Sequence, residues 1–366
     1  MKLVQSVFLI SLICLPAFSW AQQGPNPAGV ARQSGTQLPA SLTPAPVPGN
    51  GERHINLDVV VADRSGKPVQ GLDMKDFTLR DNSQPAKILS LRGPDAAVAT
   101  ADPPVEVILL VDSVNVEIRN ISFIRDQIEK FLLQNGGHLA QPVSLYVFTN
   151  QGLLTQHMPS FDGNGMAAMV KGLDSRLRPI GQSAGVWGDV ERFQLSIKTL
   201  TDIAENESKK PGRKLLIWCG PGWPLLDSPG FDFSRSGLQQ YFNSIVKLST
   251  KLREGHITVY SISMDDSVVR EFPYQGFLKG VKASDKASPP HLALEVVALQ
   301  SGGRVLGPNN DLAGQIETCV EDARAFYTLT FDPPRADHVN EYHDLAVQID
   351  KPGLTARTST GYYNQP

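Results

Sequence analysis

Hydrophobic positions along this chain follow two different periods, and the change from one period to the other divides the chain into segments. Between residues 53 and 93, apolar and polar residues alternate over short stretches, as in Leu57, Val59 and Val61, which predicts antiparallel strands. The predicted strands lie at 57–61, 77–79 and 87–91. Three or four short strands rarely form a stable domain by themselves, so this segment needs partners elsewhere in the chain.

The carboxyl-terminal segment has the same alternating pattern. Residues 327–331 and 345–349 alternate, and residues 354–362 form a third candidate strand. We therefore predict that residues 53–93 and 326–366 combine into one β-sandwich, with residues 103–325 inserted between its two parts.

The central segment alternates between strand and helix patterns. Residues 105–111 form a run that is apolar except for Glu106, which is typical of a strand buried on both faces of a parallel sheet. Further strands are predicted at 143–148, 214–219 and 257–262, and helices at 118–132 and after the capping residues 309–311. The pattern predicts an α/β domain with a mostly parallel sheet covered by helices.

The amino-terminal residues have the three parts of a secretory signal. Lys2 supplies a positive charge, residues 3–18 are mostly apolar, and Ser19-Trp20-Ala21 provides small residues at the cleavage positions. We predict a signal peptide at 1–21 and, at 22–52, a disordered linker rich in Pro, Gly and Ala. The expected location is periplasmic or secreted, without stable membrane insertion after cleavage.

Composition narrows the functional classes. The 366 residues are 41% hydrophobic and 19% charged, and the formal net charge of −3 gives no indication of a nucleic-acid surface. Cleavage of the signal peptide would leave Cys219 and Cys319, which either pair in an oxidising compartment or remain buried free thiols.

His338 and His343 lie near acidic residues at a predicted turn. A solvated turn is the favoured interpretation, over a metal or catalytic site.

Several motifs, in order, resemble those of one known family. They are Val69-Gln70-Gly71-Leu72 with Asp76-Phe77, the strand ending in Asp112, the segment from Pro211 to Pro224, Ala325 to Leu329, and Gly361-Tyr362-Tyr363. The central part resembles a von Willebrand factor A (VWA) domain, and the whole mature chain is similar to the VWFA-related proteins of acidobacterial type. The resemblance implies a VWA-like, doubly wound sheet inserted into a β-sandwich, in an exported protein.

The same resemblance directs attention to a metal site. VWA domains that bind Mg²⁺ carry D-x-S-x-S after the first strand, because the ion requires several oxygen ligands. Here Asp112 fits the first position, Val114 and Val116 replace both hydroxyls, and Cys219-Gly220 stands where Asp-Gly is expected. Ser183 could supply a hydroxyl where the family carries Thr, and Asp189 is near it in sequence. We therefore expect no cofactor, and a degenerate metal-ion-dependent adhesion site; any residual Mg²⁺ site would use Asp112 and Ser183.

Loops at the carboxyl ends of the parallel strands are the candidate binding surface, since open α/β sheets bind their ligands there. The candidate residues are Asp112, Ser113, Asn115, Ser183, Gly220 and Trp223. Two alternatives stand for Trp223: a rigid anchor for a partner, or a side chain folded back onto the domain.

The leading functional hypothesis is an exported, non-enzymatic protein-interaction module for adhesion or assembly, with a protein as its partner. The alternatives are a divalent-metal-dependent adhesin that uses Asp112, a structural scaffold of an envelope assembly, and a hydrolase. Neither H-E-x-x-H nor G-x-x-x-x-G-K-[ST] occurs in the chain, and we expect no G-x-S-x-G nucleophile elbow, so the hydrolase is the least favoured.

Overall fold

A computed structural model describes residues 54–94, 104–155, 158–172, 185–225, 234–264, 273–324 and 326–366. The predicted signal peptide and linker lie outside the described residues, as does Ser183.

In the described part of the chain, the central domain is built on a seven-stranded sheet. Its strands are β5 (Glu106–Asp112), β6 (His138–Thr149), β7 (Gly152–Thr155), β8 (Ser160–Asp162), β9 (Lys214–Cys219), β10 (Ile257–Ile262) and β11 (Val305–Leu306). Their order in the sheet is β11-β10-β9-β5-β6-β7, and β8 also pairs with β6. Pairing is parallel from β11 to β6, whereas β7 and β8 run antiparallel to β6. The mostly parallel sheet predicted from the sequence is thus confirmed.

Helices cover both faces of this sheet. They are α1 (Ile118–Leu132), α2 (Gly163–Lys171), α3 (Gly185–Glu207), α4 (Arg235–Glu254), α5 (Leu294–Gln300) and α6 (Leu312–Glu321). Alternate residues of β5 serve the two cores: Val107, Leu109 and Val111 pack with α1, α2 and α6, while Ile108 and Leu110 pack with α3, α4 and α5. Such a strand needs apolar residues at nearly every position, which explains the run in the sequence.

Helix starts follow the chemistry expected of them. The Asp311 side chain accepts a hydrogen bond from the Gly314 amide at the start of α6, as the predicted cap requires, and Asp162 caps α2 through the Gly165 amide.

Among the helices in the described ranges, none combines the length and apolar character that crossing a membrane requires.

The two flanks form a pair of four-stranded antiparallel sheets with a common core. Their strands are β1 (Ile55–Ala62), β2 (Phe77–Asp81), β3 (Gln84–Ala86), β4 (Ile88–Arg92), β12 (Phe326–Phe331), β13 (Glu341–Ile349), β14 (Thr355–Arg357) and β15 (Gly361–Asn364). One sheet has the order β14-β1-β12-β4 and the other β15-β13-β2-β3. Side chains of both sheets, including Leu57, Leu79 and Leu329, share one hydrophobic cluster.

Strand pairing joins the beginning of the described chain to its end. β1 pairs with β12 from Ile55↔Phe331 to Val60↔Phe326, and β2 pairs with β13 from Phe77↔Ile349 to Asp81↔Leu345. The predicted combination of the two flanks is therefore confirmed. Neither flank could bury its apolar face alone, and each supplies strands to both sheets.

Two tail predictions need correction. The single strand predicted at 354–362 is wrong, because the chain changes sheets there: β14 pairs with β1, whereas β15 pairs with β13. The solvated turn predicted at His343 is also wrong, because β13 begins at Glu341 and carries His343 inward, with 3% exposure.

The sandwich packs on the central domain through aromatic side chains. The Tyr363 ring lies 5.1 Å from that of Tyr342 and 6.1 Å from that of Phe242 on α4, and its hydroxyl donates to the Val281 carbonyl. Tyr342 and Tyr363 thus extend the core of the central domain into the sandwich.

Candidate functional site

Asp112 ends β5 at the upper edge of the sheet, defined here as the edge where the parallel strands have their carboxyl ends. Its Oδ1 accepts hydrogen bonds from the backbone amides of Val114 (3.0 Å) and Asn115 (2.9 Å). Its Oδ2 accepts from Asn115 Nδ2 (2.8 Å) and Trp218 Nε1 (2.9 Å). Four donors of the chain therefore occupy the acceptor positions of this carboxylate.

The surroundings of Asp112 are closed to solvent. Asp112 and Ser113 are both fully buried, and the Ser113 hydroxyl donates to the Phe148 carbonyl. Burial raises the pKa of the Asp112 carboxyl, although the four hydrogen bonds oppose the shift. Asn115 is half-buried, and its Nδ2 also contacts Ser196 Oγ on α3 at 3.1 Å. The side chains of this loop hold it to the sheet and to α3.

Val114 and Val116 occupy the positions where a VWA metal site would carry hydroxyls. Val114 is 1% exposed and belongs to the core on the α3 side, whereas Val116 is 4% exposed and belongs to the core on the α1 side. At these two positions the loop therefore carries side chains that pack in the cores instead of oxygen ligands. Together with the saturated carboxylate, this arrangement does not fit Mg²⁺.

The loop after β9 is equally closed. A side-chain carbon added at Gly220 would lie 2.7 Å from Asp112 Cβ, so any larger residue there would have to displace the Asp112 loop. Trp223 is 6% exposed, donates from Nε1 to the Leu292 carbonyl at 3.1 Å, and packs edge-on against Trp218 with ring centroids 5.1 Å apart. Of the two alternatives for Trp223, the structure contains the folded-back side chain.

The predicted binding residues are thus brought together, but not as a surface. Asp112, Ser113, Gly220 and Trp223 are all buried, and only Asn115 is partly accessible; Ser183 is not described. A partner cannot contact the four buried residues without opening the fold. The described ranges also contain no group of three His, Cys, Asp or Glu residues placed to hold a metal ion.

Cys219 and Cys319 are buried free thiols. Burial raises the pKa of both, so neither is a ready nucleophile.

The sandwich contains a buried polar network that the sequence did not predict. Asp81 accepts a hydrogen bond from the Tyr362 hydroxyl at 2.5 Å and contacts His343 Nδ1 at 2.7 Å. The His343 ring stacks on Tyr362 with centroids 4.9 Å apart. These residues come from three strands of one sheet, so the network ties β2, β13 and β15 together.

A second polar group that sequence reasoning missed lies at the lower edge of the sheet, where β9 and β10 begin. His256, just before β10, contacts Asp58 Oδ2 on β1 through Nδ1 at 3.0 Å. Arg213, just before β9, stacks over the Phe326 ring at 4.3 Å. Asp58 and His256 are 198 positions apart in sequence, and only the pairing of the two flanks could have indicated their contact.

The sequence contains the spacing G-x-S-x-G at Gly181-Gln182-Ser183-Ala184-Gly185, so the expectation that this motif is absent is wrong. A nucleophile elbow with this spacing joins a strand to a helix. Gly185 does begin α3, and residues 181–184 lie outside the described ranges. Ser183 is therefore a residue that an activity test must address.

The chain has no match among family models or curated proteins. Among solved structures it is similar to proximal thread matrix protein 1 from the mussel byssus, with 13% identity over 61% of this chain and a TM-score of 0.36. Human COPII-coat protein Sec24c matches with 10% identity over 75% of this chain and a TM-score of 0.33. The pilus adhesin SpaC from Lactobacillus rhamnosus GG matches with 12% identity over 81% and a TM-score of 0.35.

The matches cover 49%, 45% and 43% of those three chains respectively, so this chain spans less than half of each. Likeness at this level carries no argument about function.

Proposed function

We propose that this chain is an exported, non-enzymatic protein-interaction module of the VWFA-related type, which binds its partner without a metal ion at Asp112. Export is supported by the pattern of residues 1–21 in the sequence. The VWA-like assignment is supported by the sheet order, by helices on both faces, and by the family motifs.

The observation that carries the proposal is a concentration of exposed apolar side chains in one segment of the chain, from the edge strand β7 through β8 to α2. Eight large apolar side chains are exposed in the described part of the chain, and four come from a segment of 16 residues: Leu154, Met158, Phe161 and Met169. We call these four residues the apolar edge. Exposed apolar side chains concentrated in this way are typical of protein interfaces.

The backbone at this edge also supports binding. β7 is the last strand in the sheet order and pairs with β6 on one side only. An edge strand offers unpaired backbone groups to an incoming strand. The proposal therefore places the partner at the apolar edge, whereas the Asp112 loop has a structural role.

Affinity capture from native envelope extract tests this proposal. The wild-type chain is compared with the double variant Met158→Lys and Phe161→Lys, both in buffer with EDTA. We expect the wild type to retain a specific partner and the double variant to lose it, because each lysine places a charge in the apolar contact. Lys209→Glu and Lys286→Glu, exposed changes elsewhere, form the matched control.

Two results would contradict the proposal. Loss of capture in EDTA would show that binding depends on a metal. Labelling of the wild type by a fluorophosphonate probe, abolished by Ser183→Ala, would show a serine nucleophile and so an enzyme.

A further inference from the structure

A cleft of about 640 Å³ opens at the lower edge of the sheet, between the sandwich and the starts of β9 and β10. Its volume lies within the range of ligand-binding pockets, which is roughly 300 to 1,000 Å³. The strands β1, β12 and β4 form one wall, and residues 211–213 with His256 form the other. This cleft lies at the opposite end of the parallel strands from the Asp112 loop, and none of the four residues of the apolar edge lines it, so a ligand bound there would be additional to the protein partner of the proposed function.

The sandwich wall carries two rows of hydrogen-bonding side chains. The strand register aligns Asn56, Thr330 and Ser90 in one row and Asp58, Thr328 and Arg92 in the other. All six residues line the cleft. Neighbouring strands are about 4.8 Å apart, so the two rows form a regular polar grid.

The opposite wall contains a buried positive charge with few partners. Arg213 is 5% exposed and lines the cleft. Its Nη2 lies 3.5 Å from Thr258 Oγ1, while Nε and Nη1 have no hydrogen-bond partner. Burying a guanidinium whose N–H donors have no acceptor destabilises the folded protein. A bound ligand that accepts from these donors would offset that cost. A positive charge at a low-dielectric wall attracts anions into a cleft.

Asp58 supplies an acceptor on the sandwich wall. Its Oδ2 contacts His256, and its Oδ1 accepts a long hydrogen bond from Thr328 at 3.4 Å. Burial alone would raise the pKa of Asp58, but the hydrogen bond from His256 and the charges of Arg213 and His256 outweigh it and hold that pKa below its ordinary value. The carboxylate is thus ionised and retains capacity to accept from ligand hydroxyls.

We infer that this cleft binds an acidic saccharide, with its carboxylate beside Arg213 and its hydroxyls on the polar grid and Asp58. Arg92 and Arg213 line the cleft against the single carboxylate of Asp58, so the lining is positively charged and favours an anionic saccharide over a neutral one. A simple inorganic anion would leave the two rows of the grid unused. A sugar acid supplies both an anion and several hydroxyls at a spacing comparable to that of the grid.

Isothermal titration calorimetry on the full chain tests this inference with two probes: trigalacturonic acid and its fully methyl-esterified form. The ester keeps the ring hydroxyls and removes the charges. We expect the acid to bind at least tenfold more tightly than the ester, a difference of about 1.4 kcal/mol. Equal affinity of the two probes, or no binding of the acid, would overturn the inference.

Two variants locate the site. Ser90→Trp places a large ring over the exposed row of the cleft and should weaken binding of the acid at least tenfold. Leu89→Trp is the matched control, because Leu89 is exposed on the same strand but does not line the cleft, and it should bind as the wild type does. Unchanged binding by Ser90→Trp would overturn the inference.

Arg213→Met tests the charge itself. The Met side chain preserves the packing on Phe326, and circular dichroism verifies the fold. We expect this variant to bind the acid and the ester with similar affinity. A retained tenfold preference for the acid would overturn the role of Arg213, and Ser90→Trp decides the location of the site even if Arg213→Met does not fold.

Discussion

Two buried ionisable groups lie at opposite edges of the same sheet, and their surroundings differ. Asp112 at the upper edge receives four hydrogen bonds from the chain, whereas Arg213 at the lower edge makes one hydrogen bond, of 3.5 Å, stacks on the Phe326 ring, and has two nitrogen atoms without hydrogen-bond partners. Burial is almost complete in both cases. The difference teaches that a buried charge points to a ligand only when the fold leaves its hydrogen-bonding capacity unused.

Asp112→Ala should produce the largest effect on stability. The substitution leaves the amides of Val114 and Asn115 and the Trp218 indole N–H buried without their acceptor. Each lost acceptor costs on the order of 1 to 3 kcal/mol, so we expect a loss of about 4 kcal/mol in the free energy of unfolding, measured in urea. Asp112→Asn retains one oxygen and should lose about half as much. A loss below about 1 kcal/mol for Asp112→Ala would break the comparison.

Trp223→Ala should follow with a loss of about 3 kcal/mol, because it removes a buried ring that packs on Trp218 and bonds to the Leu292 carbonyl. Thermal unfolding measures this loss, and affinity capture of the partner should be unchanged in the folded protein. Trp223→Phe, which restores most of the packing, is the matched control. Loss of the partner with stability intact would show that Trp223 makes a contact that the buried position does not predict.

Asp58 gives a smaller and pH-dependent effect. Because its pKa is lowered in the folded state, Asp58 stabilises the fold above its ordinary pKa of 3.8, and this contribution disappears as the pH falls through the lower folded value. Asp58→Asn should therefore cost about 1.5 kcal/mol at neutral pH and almost nothing at strongly acidic pH. Urea unfolding at several pH values checks this. A cost that does not change between neutral pH and the acid range would show that the charge on Asp58 is irrelevant.

Arg213→Met should change the free energy of unfolding by less than about 1 kcal/mol, which is the sharpest contrast with Asp112→Ala. The substitution loses one long hydrogen bond and the attraction between Arg213 and Asp58, but it also removes two buried donors that have no partner, so the contributions oppose each other. Urea unfolding in the absence of saccharide measures the change. A loss above about 3 kcal/mol would show that Arg213 is a structural residue like Asp112.

The fold was largely predictable because its strands carry strong local patterns. The buried run in β5 and the alternation in β1 and β13 follow directly from which faces the strands bury. The break between β14 and β15 was not predictable, because it depends on which sheet each short strand joins. Chain segments that change sheets leave no periodic signal.

The candidate site was less predictable than the fold. Sequence identified Asp112 and the missing hydroxyls at Val114 and Val116, but it could not show that Trp218 and Asn115 supply the remaining donors. It placed Trp223 at the correct edge without showing its burial. The polar grid opposite Arg213 could not be predicted from the sequence, because its three strands come from both ends of the described chain. The sequence shows which functional groups are present, whereas their hydrogen-bond partners depend on tertiary pairing.

Mg²⁺ should have the smallest effect of all: no change in melting temperature at millimolar concentration. A functional site would stabilise the fold by about 2.7 kcal/mol when the ion is present at about 100 times its Kd, which thermal unfolding would detect readily. We expect no such change, because the four donors on Asp112 would have to be displaced first and Val114 and Val116 offer no oxygen in exchange. Mn²⁺ and Ca²⁺ serve as comparisons, and EDTA-treated protein provides the baseline. A saturable rise with Mg²⁺ or Mn²⁺ that Asp112→Asn abolishes would mean that the loop opens to admit the ion. The upper edge would then be the ligand site, and the saturated carboxylate only its resting arrangement.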